Sequence, residues 1–245
     1  MKTVIVKQML LSAILAITLN SCAQYGTNAI NGNGNTTTIS RSTAEYSGIK
    51  CAGSMDFILI KGQEGNITLE GESNLLPYIV TEVHGNNLVV KVKDGTNLRP
   101  SKNKGIIITI PFEAVSEIAL TGSGDLKNTD VISEDNLEVS LTGSGDVVLD
   151  VSTSNLKAEI TGSGDITLKG DTENLEVEVT GSGDFHGFDL QSKNTDASVT
   201  GSGDADVVSL NNLKGRVSGS GDITYKGQPQ KEDTKVSGSG SISTH

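Results

Sequence analysis

The tetrapeptide Gly-Ser-Gly-Asp begins at Gly122, Gly143, Gly162, Gly181, Gly201 and Gly219, and returns as Gly-Ser-Gly-Ser at Gly238. The intervals are 21, 19, 19, 20, 18 and 19 residues. A unit of this length cannot bury an apolar face alone, and so regular a period marks units that cover one another by stacking. The composition agrees: 29 glycines, no Trp and 3% aromatic residues suit a narrow aliphatic core better than a compact globule.

Within one unit, Leu156 to Leu168, every even-numbered residue is apolar or Gly and every odd one is polar. Alternation with period 2 is an extended strand with one buried face. On this register Gly162 and Gly164 face inward, at a corner or a pinched wall, because Gly permits the bend and leaves little volume. Thr161, Ser163 and Asp165 face outward. Stacked in register, equivalent residues lie about 4.8 Å apart. Columns of Thr and Ser result, beside a column of Asp125, Asp146, Asp165, Asp184, Asp204 and Asp222. Variable polar turns such as residues 169–174 are expected to close each rung, and Asn136, Asn155, Asn174 and Asn212 open the next strand.

The expected fold is all-β: a right-handed parallel β-helix with rungs of about 19 residues, preceded by β-hairpin excursions. A left-handed hexapeptide helix would repeat its signature three times per rung. An antiparallel meander would not stack identical side chains so simply.

Two carboxylates 4.8 Å apart in water repel by about 0.9 kcal/mol, so six in a row cost about 4 kcal/mol before screening by salt. The ordinary offset is local, with each Asp accepting backbone N–H bonds in an Asx-type turn. Divalent cations between rungs are the sharper alternative. The motif departs from the shorter, Gly-denser calcium nonapeptide, so no metal site and no cofactor are assigned.

The N-terminus carries Lys2 and Lys7, then an apolar run from Met9 to Leu19, too short to span a bilayer. It ends Leu19-Asn20-Ser21-Cys22, which resembles a bacterial lipobox, with Asn20 looser than the usual residue there. The expectation is a lipoprotein signal over 1–21, lipid attachment at Cys22 and a flexible tether over 22–45, placing the protein on the periplasmic side of an outer membrane. The formal charge is −11; removing residues 1–21 takes away two lysines and no acid, leaving −13. That excludes nucleic acid as a partner and attachment to anionic lipid by charge.

The folded domain is expected over 46–245, irregular to 121 and regular from 122. Phe57–Ile60 and Ile67–Glu70 read as a hairpin around Gly62–Asn66, and Ile79–Val83 and Leu88–Val92 as a second, through His84–Asn87. A further strand, Ile106–Ile110, ends at Pro111. Gly53-Ser54-Met55-Asp56 reads as a degenerate first copy of the repeat, and Cys51 as a small buried apolar residue.

This layout runs Tyr-Ser-Gly-Ile-Lys, Gly-Ser-x-Asp-Phe, Leu-Leu-Pro, Ile-Thr-Ile-Pro, then the repeated Gly-Ser-Gly-Asp. It resembles the bacterial head GIN domain family of auto-transporter adhesins, over about Tyr46 to Ser243. The resemblance implies a β-helical envelope protein and carries over no catalytic residue.

Three functions are weighed. The first is a binding or adhesion module offering its Thr/Ser/Asp face to a glycan, a protein or cations. The second is an envelope scaffold that pairs with a second copy through an uncapped last rung, Val236–Ser243. The third is a glycan-active enzyme. No nucleophile–base pair or phosphate loop is present, the carboxylates recur in every rung, and His84, His186 and His245 stand apart in sequence, so catalysis is not expected.

Overall fold

The computed structural model describes residues 28–245. The signal, Cys22 and the first part of the tether lie outside the described residues. From Gly48 onward the chain winds into a solenoid of parallel strands. Gly53, Gly122, Gly143, Gly162, Gly181, Gly201, Gly219 and Gly238 stack in register. One 3-10 turn, Leu76–Tyr78, is the only helical element among the described residues.

Each regular rung is a nearly continuous bent strand: Val147–Gly162, Ile166–Gly181 and Phe185–Gly201. The segment 169–174, expected as a variable turn, is part of this ladder. Asp150 to Thr153 pair in register with Lys169 to Thr172, and the Thr153 hydroxyl donates to Thr172 Oγ1 at 2.9 Å. Backbone groups at this bend would otherwise be buried or unpaired, and stacking satisfies them rung by rung.

Length variation sits at the bend rather than at the glycines. Lys127 and Ile132 face Val148 and Val151, so the 21-residue unit loops two extra residues out around Val131, which is 45% exposed. In the 20-residue unit a bulge sets His186 and Asp189 against Thr167 and Lys169. The 18-residue unit breaks its strand between Val208 and Asn212.

Inside run aliphatic columns such as Leu120, Leu141, Ile160, Val179, Val199 and Val217, all fully or almost fully buried. Each such side chain contributes about 1.5–3 kcal/mol by leaving water. Phe185 is the one aromatic in the regular rungs' fully buried core. Its ring is accommodated by Gly187, where an added Cβ would stand 2.5 Å from it, and by Ala205 on the next rung.

The N-terminal end is closed by antiparallel strands. Asn87–Val92 lies parallel to Gly48–Gly53 and pairs antiparallel with Ile79–His84, as expected for the second hairpin. The first expected hairpin does not form. Ile107–Phe112 inserts between its two strands, parallel to Asp56–Lys61 and antiparallel to Asn66–Glu72. That strand also runs through Pro111 rather than ending there.

The expected tether is likewise corrected. Thr36–Ser42 pairs with all of Asn66–Glu72, and Asn28–Asn31 pairs with Thr96–Arg99. Consecutive threonines suit a half-buried strand, and Asn66–Glu72 offered a row of free backbone groups. Arg41 ties this strand down by donating to the Leu76 carbonyl at 2.7 Å. Glu72 accepts from the Ser101 amide at 2.7 Å and its hydroxyl at 2.6 Å, and from the Gly34 amide.

At the opposite end, every residue of Lys231–Gly238 is exposed. Its inward positions, in register with Leu213 and Gly215, carry Glu232 and Thr234. Within Val236–Ser243, Val236, in register with Val217, is 41% exposed, and the strand leading into it sets Glu232 at an inward position among Lys231, Asp233 and Lys235, a pattern that works against edge pairing.

Candidate functional site

The Gly-Ser-Gly-Asp corner is built by two contacts. At Gly181, φ is +126° and an added Cβ would meet the Gly162 carbonyl oxygen at 2.2 Å; at Gly183 it would meet that of Gly164 at 2.1 Å. The first glycine supplies a left-handed turn and both permit backbone to touch backbone. The Gly162 carbonyl then accepts two amides of the next rung, Ser182 at 2.8 Å and Gly183 at 3.1 Å. The degenerate copy behaves alike: the Gly53 carbonyl accepts from Ser123 at 2.9 Å and Gly124 at 3.1 Å.

The Asp amide is the next donor along, and a side chain serves it. Asp165 Oδ1 accepts from the Asp184 amide at 2.9 Å, Asp184 Oδ1 from Asp204 at 2.7 Å, and Asp204 Oδ1 from Asp222 at 2.7 Å. The column begins at Asp56, which accepts from Asp125 at 3.4 Å, passes through Asp146, and ends where Asp222 receives the Ser241 amide at 2.6 Å. Each carboxylate thus answers the following rung, not its own turn as an Asx motif would. A hydrogen bond to a charged acceptor contributes about 1.5–3 kcal/mol, more than the roughly 0.9 kcal/mol of neighbour repulsion. The column is held by its own backbone.

A second polar ladder builds a concave surface. Asn155, Asn174 and Asn194 each donate from Nδ2 to Oδ1 of the Asn one rung before, at 3.0, 2.9 and 2.9 Å, and Asn212 donates to Asn194. Beside them Leu137, Leu156, Leu175 and Leu213 form a floor, and Glu138, Lys157, Glu176, Asp196 and Lys214 form a wall. Together they enclose a groove of about 680 Å³ crossing the rungs.

The two wall lysines are paired, Lys157 with Glu159 at 2.5 Å and Lys214 with Asp196 at 2.6 Å. The hydrogen bond to Glu159, with Glu176 and Glu178 behind it, holds the Lys157 ammonium above its ordinary pKa. Asn194 escapes sequence reading because Thr195 replaces the Leu that follows each other Asn. Its spacing, which tracks that of the glycines, is the signal that finds it.

Cys51 is buried, and burial pushes its thiol up, away from reactivity. His84 lies by Glu82, while His186 on the Asp face and His245 against the Phe188 ring both act on the Asp206 carboxylate. Burial pushes the Asp206 carboxyl up, opposed first by His186 and also by His245, with Asp204 adding to the rise.

A family model described as "Putative auto-transporter adhesin, head GIN domain" matches residues 45–229. The chain belongs to this family. Solved structures agree in fold. A "putative adhesin" from Bacteroides fragilis superimposes with a TM-score of 0.81 at 22% identity, covering 88% of this chain and 100% of its own. One from Parabacteroides merdae gives 0.70 at 24%, covering 89% and 99%. A "putative lipid binding protein" from Parabacteroides distasonis gives 0.73 at 26%, covering 89% and 100%. No curated protein matches the chain.

Within this GIN domain neither polar ladder converges on a reacting centre. The Asp ladder hydrogen-bonds one rung to the next, and the Asn ladder borders the groove.

Proposed function

We propose that this GIN-domain protein is a non-enzymatic binding module, held on the cell envelope by lipid at Cys22, whose Asn-lined groove receives a glycan. The groove carries this reading. Each Asn amide spends one N–H on the ladder and keeps another N–H and a lone pair for a ligand, repeated at the rung spacing above an apolar floor. The wall's mixed charges favour a neutral or weakly charged partner. A peptide is less well served, because extended peptides bind by adding to a free strand edge and the groove has none. The adhesin descriptions of the family and of its solved relatives support a binding role.

No helix among the described residues is long and apolar enough to cross a membrane, and the anchor rests on the Cys22 motif. Fatty-acid labelling in a bacterial host should mark the parent chain and not Cys22→Ala. An envelope-polysaccharide array, read for binding and for release of reducing ends, tests the rest. Binding without release, weakened in Asn174→Ala, supports the reading. Release of reducing ends, or binding indifferent to Asn174, overturns it.

A further inference from the structure

We propose that Asp165, Asp184 and His186 form a binding site for one divalent transition-metal ion of the zinc type. One ligand atom from each of the three lies within 4.8 Å of the other two. The fold places them there: Asp184 closes the glycine corner, His186 is the second residue of the strand Phe185–Gly201 that follows it, and Asp165, whose Oδ1 accepts the Asp184 amide, is the equivalent of Asp184 one rung before.

The carboxylates are anchored through one oxygen each. Each commits Oδ1 to the amide of the next rung, at 2.9 and 2.7 Å, and keeps its second oxygen for a cation. Neither pairs with a Lys or Arg among the described residues. Asp206, in register with His186 on the following rung, brings a carboxylate oxygen to 3.9 Å from Nδ1. It is placed to orient the imidazole or to add a fourth donor.

What distinguishes this point from the rest of the column is the imidazole. The register places Lys127, Val148, Thr167 and Thr224 where His186 stands, and none of these joins its Asp neighbours as a ligand. Among the described residues no other such group of three is found. The donor set also selects the ion. Calcium and magnesium prefer all-oxygen shells, whereas imidazole with carboxylates suits zinc and its neighbours. Bound at about 2.0–2.2 Å, the donors must close in by about an ångström, which side chains at the surface achieve by rotation.

Metal-free, untagged mature protein is titrated calorimetrically with ZnCl2, CaCl2 and MgCl2, and with CoCl2 for its visible spectrum. One zinc per chain is expected, with a raised melting midpoint and a cobalt ligand-field band, and no response to calcium or magnesium. His186→Ala should abolish the band and weaken zinc binding about tenfold or more. Asp184→Asn should weaken it similarly while retaining the oxygen that accepts the Asp204 amide, so its metal-free midpoint stays near the parent's. Asp125→Asn, in the same column without a histidine beside it, should leave zinc affinity unchanged. Absence of zinc binding, binding indifferent to both His186→Ala and Asp184→Asn, or an equal response to calcium overturns the proposal.

Discussion

A methyl group on Gly181 would stand 2.2 Å from the carbonyl oxygen of Gly162, closer than any real Cβ approaches oxygen. The same contact recurs along the stack at 2.0–2.3 Å, so the glycines set how closely one rung lies on the next.

Gly181→Ala is therefore expected to cost about 4 kcal/mol or more, combining a backbone clash with a positive φ. Ser182→Ala, next to it and exposed, should stay within about 0.5 kcal/mol. Urea unfolding of the two variants checks this, and similar midpoints would refute the close-contact account.

The Asp column makes a prediction that separates charge from hydrogen bonding. Asp165→Ala leaves the Asp184 amide without its acceptor and should cost about 1–3 kcal/mol. Asp165→Asn keeps an acceptor oxygen and removes a like charge, so it should lie near the parent and gain relative to it at low salt. Equal losses in both variants would show that the charge itself holds the column.

Glu72 gives a pH signature. Its hydrogen bonds from the Ser101 hydroxyl and amide, then that from Gly34, hold its carboxyl below the usual range. A carboxyl lowered in the native state stabilises the fold above its unfolded pKa of about 4.3, and that contribution is lost as pH falls through the lower native value. Glu72→Gln should melt below the parent at pH 7, with the gap closing as the solution is acidified below about pH 4. A gap independent of pH would assign the effect to packing.

The last rung predicts an engineered failure. Glu232 stands at the inward position that Leu156, Leu175 and Leu213 fill on earlier rungs. The double change Glu232→Val and Thr234→Val should turn an edge that resists pairing into one that associates, seen as concentration-dependent sedimentation absent from the parent. Association of the parent itself would show that the charges do not protect the edge.

Much of this was legible beforehand because stacking repeats side chains at fixed intervals. Alternation over Leu156–Leu168 revealed the inward face, the spacing of Gly-Ser-Gly-Asp revealed the rung, and Gly53-Ser54-Met55-Asp56 revealed where the solenoid begins. Thr36–Ser42 was not legible, because a strand of threonines is recruited by the free edge of Asn66–Glu72, some 30 residues away. The first hairpin failed for a related reason. Local alternation marks two strands, but not that Ile107–Phe112 will come between them.

The sequence by itself determined the β-solenoid, its rung length and which residues face out, since each follows from a period along the chain. Only the tertiary structure decided who answers each polar group. The Asp carboxylates bond the next rung rather than their own turn, Asn194 joins a ladder its sequence context hides, and His186 comes to stand beside Asp165. These are relations between rungs, fixed by hydrogen bonds perpendicular to the chain, and no pattern read along one strand contains them.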